Sequence, residues 1–219
     1  MASTSAPPKL WTFHTSPFAG KVRVAFREKD VPVELLEVHP ARRPPRLREL
    51  NPLNRVPVLE VDGVALSESS AILEWLEETH PSPALWPAEP DQRALARAAA
   101  RWVDDALLTN YFLGLRRRAF GVPEGEPPDA GERLLARVPR QWPRLEDALG
   151  RHDGPWLMGE SFTYADVSGM PLAVRLPQWT EELVPEAETY PRVAAWLAAL
   201  RARPSAPAVE ARGPERLEG

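Results

Sequence analysis

The chain has 219 residues, enough for one or two domains, and its 43% hydrophobic and 26% charged content is that of an ordinary globular protein. A formal net charge of −4 argues against a nucleic-acid-binding protein, because such proteins carry a basic surface. The absence of cysteine excludes disulfides, thiolate metal sites and cysteine nucleophiles, and it fits a reducing cytoplasm. The sequence shows no secretory signal pattern and no apolar run of the ~18 residues that a membrane span requires, so we expect a cytoplasmic protein without a membrane segment.

The first elements along the chain predict a strand followed by a helix. Residues 9–13 are apolar and aromatic, as in a buried strand, and residues 14–17 (His-Thr-Ser-Pro) end it. Pro17 suits the first turn of a helix, where its missing N–H is not needed. Val22 and Phe26 then follow at helical spacing.

A second strand and an irregular connection come next. Residues 33–38 carry apolar side chains on both faces, which is typical of a strand in a covered sheet. Residues 40–48 are rich in proline and arginine and predict a loop with a short irregular helix, and residues 51–54 predict a turn. Pro57 then marks the start of a strand, since it cannot donate to a sheet ladder. A trans bond before it would only begin the strand, whereas a cis bond would turn the main chain of Val56 outward to pair with an extended peptide.

A β-hairpin and a helix start follow Pro57. Residues 58–61 and 64–66 are two short apolar runs separated by Asp62-Gly63, which favours a type I′ turn because both residues tolerate positive φ. Residues 68–70 (Glu-Ser-Ser) then open a segment with helical periodicity.

The order of these elements predicts an α/β unit followed by an all-helical one. Residues 1–80 give βαβ and then ββα, residues 81–91 are a proline-rich linker, and residues 92–219 contain only helical patterns. The first long helix there is predicted to bury one face, which carries Leu95, Ala98, Ala99, Trp102, Val103, Ala106 and Leu107. Residues 163–166 (Thr-Tyr-Ala-Asp) form a capping box, and residues 203–219 predict a loose or draped tail.

In this order, Val56-Pro57, the Asp-Gly hairpin and Glu68-Ser69 resemble the glutathione-binding half of the cytosolic glutathione transferases. The Leu-Met-Gly-Glu-Ser-Phe-Thr-Tyr-Ala-Asp segment is similar to the motif before the central helix of their second domain. The resemblance implies a thioredoxin-like α/β N-terminal domain and an all-α C-terminal domain. It also implies a cis Pro57, a Val56 main chain that pairs with the cysteinyl part of glutathione, and a Glu68-Ser69 pair that holds the γ-glutamyl end.

Ser16 is the candidate catalytic residue. The segment Ser-Pro-Phe-Ala-Gly-Lys-Val-Arg resembles the serine-type, theta- and zeta-like classes, in which a serine hydroxyl stabilises the glutathione thiolate; these include bacterial members. No tyrosine lies in this region, so the tyrosine-type classes do not fit, and Phe18 stands where some relatives carry cysteine. A structural alternative for Ser16 is a helix N-cap. Thr15 is the alternative hydroxyl, and His14 could hydrogen-bond near Ser16.

The remaining site residues follow from the same resemblance. Arg55 and His39 could contact the glycyl end of glutathione, although a surface arginine and a loop histidine are the structural alternatives. The electrophile pocket would be formed by Phe18 and by side chains of the first helices of the second domain, for which core packing is an equally good interpretation: Tyr111, Phe112 and Leu115. Four scattered histidines give no metal-binding spacing, so no metal is expected.

The resemblance implies a detoxifying transferase that joins glutathione, its co-substrate, to small hydrophobic electrophiles. It also implies a homodimer, and neither nucleic acid nor membrane is expected as a partner. A glutathione-dependent isomerase or dehalogenase is the related alternative. A non-catalytic module that uses this fold to bind proteins is the alternative from another class. The physiological electrophile is not readable from the sequence.

Overall fold

The computed structural model describes residues 6–213. Contacts divide them into two compact units: the first contains the residues up to Ala84 and the segment from Pro207 onward, and the second runs from Leu85 to Ala206. The part of the predicted tail after residue 213 lies outside the described residues. The strands and helices of the first unit are β1 (Lys9–Thr12), α1 (Pro17–Glu28), β2 (Glu34–Glu37), α2 (Pro45–Leu50), β3 (Val58–Val61), β4 (Val64–Ser67) and α3 (Ser69–Thr79).

The first unit contains a mixed four-stranded sheet in the order β2-β1-β3-β4. Strand β1 runs parallel to β2 and antiparallel to β3, and β3 and β4 form the hairpin. Because side chains alternate between faces, Trp11 and Val58 lie on one face and Leu10 and Leu59 on the other, and all four are buried. Leu47 of α2 joins Trp11 and Val58 in one core cluster. The predicted thioredoxin-like fold class is therefore confirmed, with the sheet covered on both faces.

The local signals in this unit have the predicted conformations. Asp62 and Gly63 have φ angles of 47° and 79°, as a type I′ turn requires. Pro17 occupies the first turn of α1, and the Val56–Pro57 bond is cis. A second cis bond, Ser82–Pro83, was not predicted.

The second unit is entirely helical. Its elements are α4 (Pro90–Trp102), a π-helical segment (Val103–Leu108), α5 (Thr109–Phe120), α6 (Ala130–Leu135), a 3₁₀ turn (Pro139–Gln141), α7 (Trp142–Leu149), α8 (Tyr164–Trp179), a 3₁₀ turn (Glu181–Leu183) and α9 (Pro191–Ala202); a last 3₁₀ turn (Ala206–Glu210) follows. Helix α8 is buried along most of its length and contacts α4, α9 and the π-helical segment.

The predicted capping box begins α8. Thr163 accepts a hydrogen bond from the Ala165 N–H, and the Asp166 carboxylate accepts from the Thr163 N–H at 3.0 Å. Asp166 also accepts from the Leu157 N–H at 3.0 Å and from Trp196 Nε1 at 2.9 Å. Burial raises the pKa of Asp166, and these hydrogen bonds oppose that shift. The carboxylate therefore joins the start of α8 to α9 and to the preceding loop.

The predicted buried face of the first long helix is wrong at its N-terminal end and correct further along the chain. In α4, Leu95 is 56% exposed and Ala98 is exposed, whereas Ala96 is fully buried. Val103 and Leu107, in the π-helical segment that follows, are fully buried as predicted. Five of the residues of α4 are alanines, which are small enough to lie on either a buried or an exposed face.

Candidate functional site

The register of the sheet brings most of the predicted site residues to one end of its strands. Trp11 pairs with Val58, and Val58 pairs with Ser67. The loop after β1, the segment before β3 and the residue after β4 therefore leave the sheet at the same end. These segments contain Ser16, Val56 with Pro57, and Glu68 with Ser69, respectively. Because β2 is parallel to β1 and its Glu37 pairs with Thr12, His39 follows at this end too.

Val56 presents a main chain that is not used by the sheet. Its side chain packs against the core cluster, while its N–H and C=O make no hydrogen bond within residues 6–213. The side chain of the buried Asn51, which the sequence identified only as part of a turn, shapes the approach to it. Asn51 Nδ2 donates to the Arg55 oxygen at 3.0 Å, and its Oδ1 accepts from the Leu53 N–H at 3.1 Å.

Ser16 is the N-cap of α1, as its structural alternative predicted. Its Oγ accepts the Ala19 N–H at 3.3 Å, and the residue is 6% exposed. The hydroxyl proton is donated to no other residue of the described chain. A capping serine needs only its acceptor capacity, so the cap does not use the donor of this hydroxyl.

Glu68 and Ser69 form the start of α3. Glu68 is exposed and has a φ of 71° and a ψ of 117°, which L-residues rarely adopt. Ser69 is 7% exposed. No side chain of residues 6–213 caps this helix, so its first N–H groups are available to an anion.

A histidine–glutamate pair lies at the same end of the sheet: His14 follows β1, and Glu37 is the last residue of β2. His14 Nδ1 lies 2.6 Å from Glu37 Oε1, which also accepts the His14 main-chain N–H at 2.8 Å. Glu37 is 6% exposed. His14 was identified from the sequence as a possible neighbour of Ser16, but Glu37 was not identified. An acidic residue in a strand with buried apolar neighbours could have indicated that it has a polar partner.

The other predicted residues occupy different environments. The Arg55 side chain is exposed, and His39 is half-buried and accepts the Ala41 N–H through Nδ1 at 3.2 Å. Phe18 is half-buried on α1, with the Lys21 ammonium 5.9 Å from its ring centroid.

The three pocket residues of the second unit differ in burial. Tyr111 is 1% exposed, and its hydroxyl accepts from Thr180 Oγ1 at 3.1 Å, which is the arrangement of a core residue. Burial raises the pKa of Tyr111 to about 12. Phe112 and Leu115 are half-buried on α5.

The described residues contain neither a cluster of metal-ligating side chains nor a helix that could span a membrane. Residues 6–213 contain no group of three or more histidine, aspartate or glutamate side chains placed to hold a metal ion. In the same part of the chain, every helix is too short or too polar to cross a bilayer.

Comparison with known proteins adds to this geometry. Residues 10–84 match the family model "Glutathione S-transferase, N-terminal domain", and residues 128–199 match "Glutathione S-transferase, C-terminal domain". A "probable maleylacetoacetate isomerase" of Caenorhabditis elegans is 31% identical over 188 residues, which is 85% of each chain.

Two solved structures show the same fold over nearly the whole chain. A glutathione S-transferase from Rhodospirillum rubrum superposes with a TM-score of 0.78, at 29% identity over 95% of both chains. A glutathione S-transferase from Methylobacillus flagellatus, solved with GSH bound, has a TM-score of 0.74 at 30% identity, covering 92% of this chain and 98% of that one.

Proposed function

This chain belongs to the glutathione S-transferase family, and we propose that it conjugates the glutathione thiolate to small hydrophobic electrophiles, with the Ser16 hydroxyl stabilising the thiolate. The observation that carries the proposal is the state of that hydroxyl. It is fixed by the Ala19 N–H, yet it keeps its own proton for a further acceptor. It also lies at the same end of the sheet as the open Val56 main chain.

A hydrogen bond of this kind is strong enough for the chemistry. The pKa of a free thiol is about 8.5, so only a small fraction is thiolate at neutral pH. One hydrogen bond to an anion contributes about 1.5–3 kcal/mol, which lowers the thiol pKa by about one to two units. The N-terminus of α1 adds a favourable dipole. Together these make the thiolate a major species near pH 7.5.

The remaining contacts of glutathione would be made by residues at the same end of the sheet. The Val56 N–H and C=O, beside the cis Pro57, would pair with the cysteinyl residue as an added strand does. The γ-glutamyl carboxylate would bind the uncapped N-terminus of α3 at Ser69, and Glu68 would bind the γ-glutamyl ammonium. Arg55 would bind the glycyl carboxylate, and His39 is the second candidate for this contact.

The electrophile would bind apolar side chains next to the sulfur. On the first unit, Phe18 is the proposed lining, since a half-buried apolar residue suits a hydrophobic electrophile. The assignment of Phe112 and Leu115 to the electrophile site stays a prediction from the sequence. The proposal extends to a homodimeric, cytoplasmic protein by analogy with the family, and light scattering of the purified protein tests the dimer.

The test is conjugation of glutathione to chlorodinitrobenzene by wild type, Ser16→Gly and Thr15→Ala. Glycine is a tolerated N-cap that costs only a few tenths of a kcal/mol, so Ser16→Gly removes the hydroxyl with little loss of helix stability. We expect kcat to fall at least tenfold in Ser16→Gly and to stay within about twofold in Thr15→Ala. Wild type that binds glutathione but forms no thiolate absorbance would contradict the proposal.

A glutathione-dependent isomerisation is the second candidate. It is favoured by one observation, the 31% identity to the "probable maleylacetoacetate isomerase" over 85% of both chains. An isomerase regenerates glutathione, whereas a conjugating enzyme consumes it. Measuring free thiol during turnover of maleylacetoacetate separates the two. A wild type that is not retained on immobilised glutathione would instead favour a non-catalytic protein-binding module.

A further inference from the structure

A buried arginine holds the loop that carries Ser16. Arg23, on α1, is 3% exposed although it is charged. Its Nη1 donates to Thr12 Oγ1 and, at 3.4 Å, to the Phe13 oxygen, and its Nη2 donates to the His14 oxygen at 3.1 Å. One guanidinium thus binds three successive residues: Thr12 at the end of β1, and Phe13 and His14 in the loop before Ser16.

The same guanidinium binds the C-terminal segment. Arg23 Nε donates to the Ala208 oxygen at 2.9 Å, and Nη2 donates to the Val209 oxygen. Val209 is fully buried. At Gly213 a Cβ atom would collide with the main-chain oxygen of Leu35, so the segment packs on the backbone of β2. In the described residues this segment is therefore draped over the first unit, one of the two states that its sequence predicted.

These contacts require arginine. Its planar group presents five N–H donors in fixed directions, and here they bind five oxygens of two chain segments. A lysine has three donors at one point and cannot reach both segments at once. A buried charge is also costly unless it is hydrogen-bonded, so loss of either segment would leave Arg23 poorly satisfied. The loop and the C-terminal segment are coupled through this one side chain.

We propose that Arg23 is a positioning residue for the proposed reaction, through which the C-terminal segment 207–213 fixes the loop that presents the Ser16 hydroxyl. The inference rests on the proposed role of Ser16. Arg23 does not itself contact the sulfur. It acts through the Thr12 hydroxyl and the Phe13 and His14 main chain, since the position of this loop sets the distance between the Ser16 hydroxyl and the thiolate. A displacement of about 1 Å at such a group can reduce the rate about a hundredfold.

The experiment compares Arg23→Lys with Arg27→Lys. Arg27 lies one turn further along α1, its side chain is 64% exposed, and its nearest carboxylate is 4.0 Å away, so it is the matched control. We expect Arg23→Lys to raise the pKa of bound glutathione, read from thiolate absorbance, by about one unit. The kcat near pH 6.5 should fall about tenfold or more, while the KM for glutathione changes less than about twofold because Val56, Glu68 and Ser69 are untouched. The loss of kcat should shrink as pH rises, and Arg27→Lys should match wild type throughout.

A second variant and a second measurement make the test independent of that substitution. Val209→Ala loosens the C-terminal segment without altering Arg23. Hydrogen exchange of peptides covering residues 12–16 and 207–213 should increase together in both variants. The double variant should lose less than the sum of the two single losses, because both remove the same link. A generally destabilised protein would show faster exchange across the sheet as well.

The outcomes separate the two proposals. Folded Arg23→Lys and Val209→Ala proteins with a wild-type thiol pKa and wild-type exchange at residues 12–16 would overturn the inference. Should wild type form no thiolate, the proposed function would be wrong, and the exchange measurement, which needs no glutathione, would still decide whether Arg23 couples the two segments.

Discussion

The Asn51 side chain donates a hydrogen bond to the main-chain oxygen of Arg55 at 3.0 Å, directly before Val56. Asn51 is 4% exposed, and its own main-chain oxygen accepts the Asn54 N–H at 2.7 Å. One side chain therefore closes the loop that leads to Val56, the proposed peptide-binding residue. A buried polar residue whose side chain is hydrogen-bonded in this way can hold a binding site in position without contacting the ligand.

Replacing Asn51 with alanine should weaken glutathione binding through this loop. The variant leaves the Arg55 oxygen and the Leu53 N–H without their partners, so we expect a loss of about 1–3 kcal/mol in the free energy of unfolding. The KM for glutathione should rise several-fold with a smaller change in kcat. Urea denaturation and initial rates measure the two effects. Asn54→Gly is the control, because Asn54 has a φ of 52° that glycine tolerates and its N–H contact is kept. An Asn51→Ala protein with an unchanged KM would show that the loop does not position Val56.

Glu68 combines an unfavourable backbone with a proposed binding role. At a φ of 71° and a ψ of 117° a residue other than glycine is strained by about 1–3 kcal/mol. Glycine would relieve this strain, at a cost of about 0.4–1 kcal/mol for the freer unfolded chain. We therefore predict that Glu68→Gly is more stable than wild type by about 1 kcal/mol and binds glutathione at least tenfold more weakly.

Glu68→Gln keeps the strain and removes the charge, so it should lose affinity without gaining stability. Thermal denaturation and calorimetric titration with glutathione compare the three proteins. Tight binding by Glu68→Gly would remove Glu68 from the proposed site.

Short local signals were predicted well from the sequence because they depend on few residues. The Asp62-Gly63 turn and the Thr163 capping box each follow from backbone preferences within four residues, and both have the predicted form. Ser16 was expected either to cap α1 or to donate to a ligand. The structure shows that the first use leaves the second available, since capping occupies only an acceptor.

Features that depend on distant segments were missed. Nothing near Arg23 in the sequence indicates that residues 208 and 209 return to it, and a charged residue between Val22 and Val24 only suggests that it is buried with a partner. The start of the buried face of α4 was assigned wrongly, because Leu95 was placed on it and Ala96 was not, and an alanine occurs on buried and exposed faces alike. The conformation of Glu68 is set by the hairpin before it and the helix after it, and no residue preference would predict a positive φ for glutamate.

The Asp166 carboxylate should dominate the stability of the second unit. It is fully buried and receives hydrogen bonds from Thr163, Leu157 and Trp196. Asp166→Ala leaves these buried donors unpaired, so we expect a loss of about 3 kcal/mol or more in the free energy of unfolding. Thr163→Ala removes the cap alone and should cost about 0.5–2 kcal/mol, while Thr163→Ser should be close to wild type. Urea denaturation followed by circular dichroism ranks the variants. An Asp166→Ala loss no larger than that of Thr163→Ala would mean that the bonds to Leu157 and Trp196 contribute little.

The raised pKa of Tyr111 predicts that the protein is less stable at alkaline pH. Burial raises its pKa to about 12 in the folded protein, whereas an unfolded tyrosine titrates near 10. Below about pH 10 the residue is neutral in both states and this group adds no pH dependence. Between about pH 10 and 12 only the unfolded chain ionises, so the free energy of unfolding should fall by about 2–3 kcal/mol from this group.

Tyr111→Phe is the direct test of that alkaline loss. The variant cannot ionise and should lose the alkaline step, although it should be less stable by about 1 kcal/mol at pH 7 because the bond from Thr180 is gone. Urea denaturation at pH 8, 10 and 11.5 measures the slope, and ultraviolet absorbance of the phenolate follows the titration directly. Equal alkaline slopes in wild type and Tyr111→Phe would show that this hydroxyl reaches solvent and ionises at an ordinary pH.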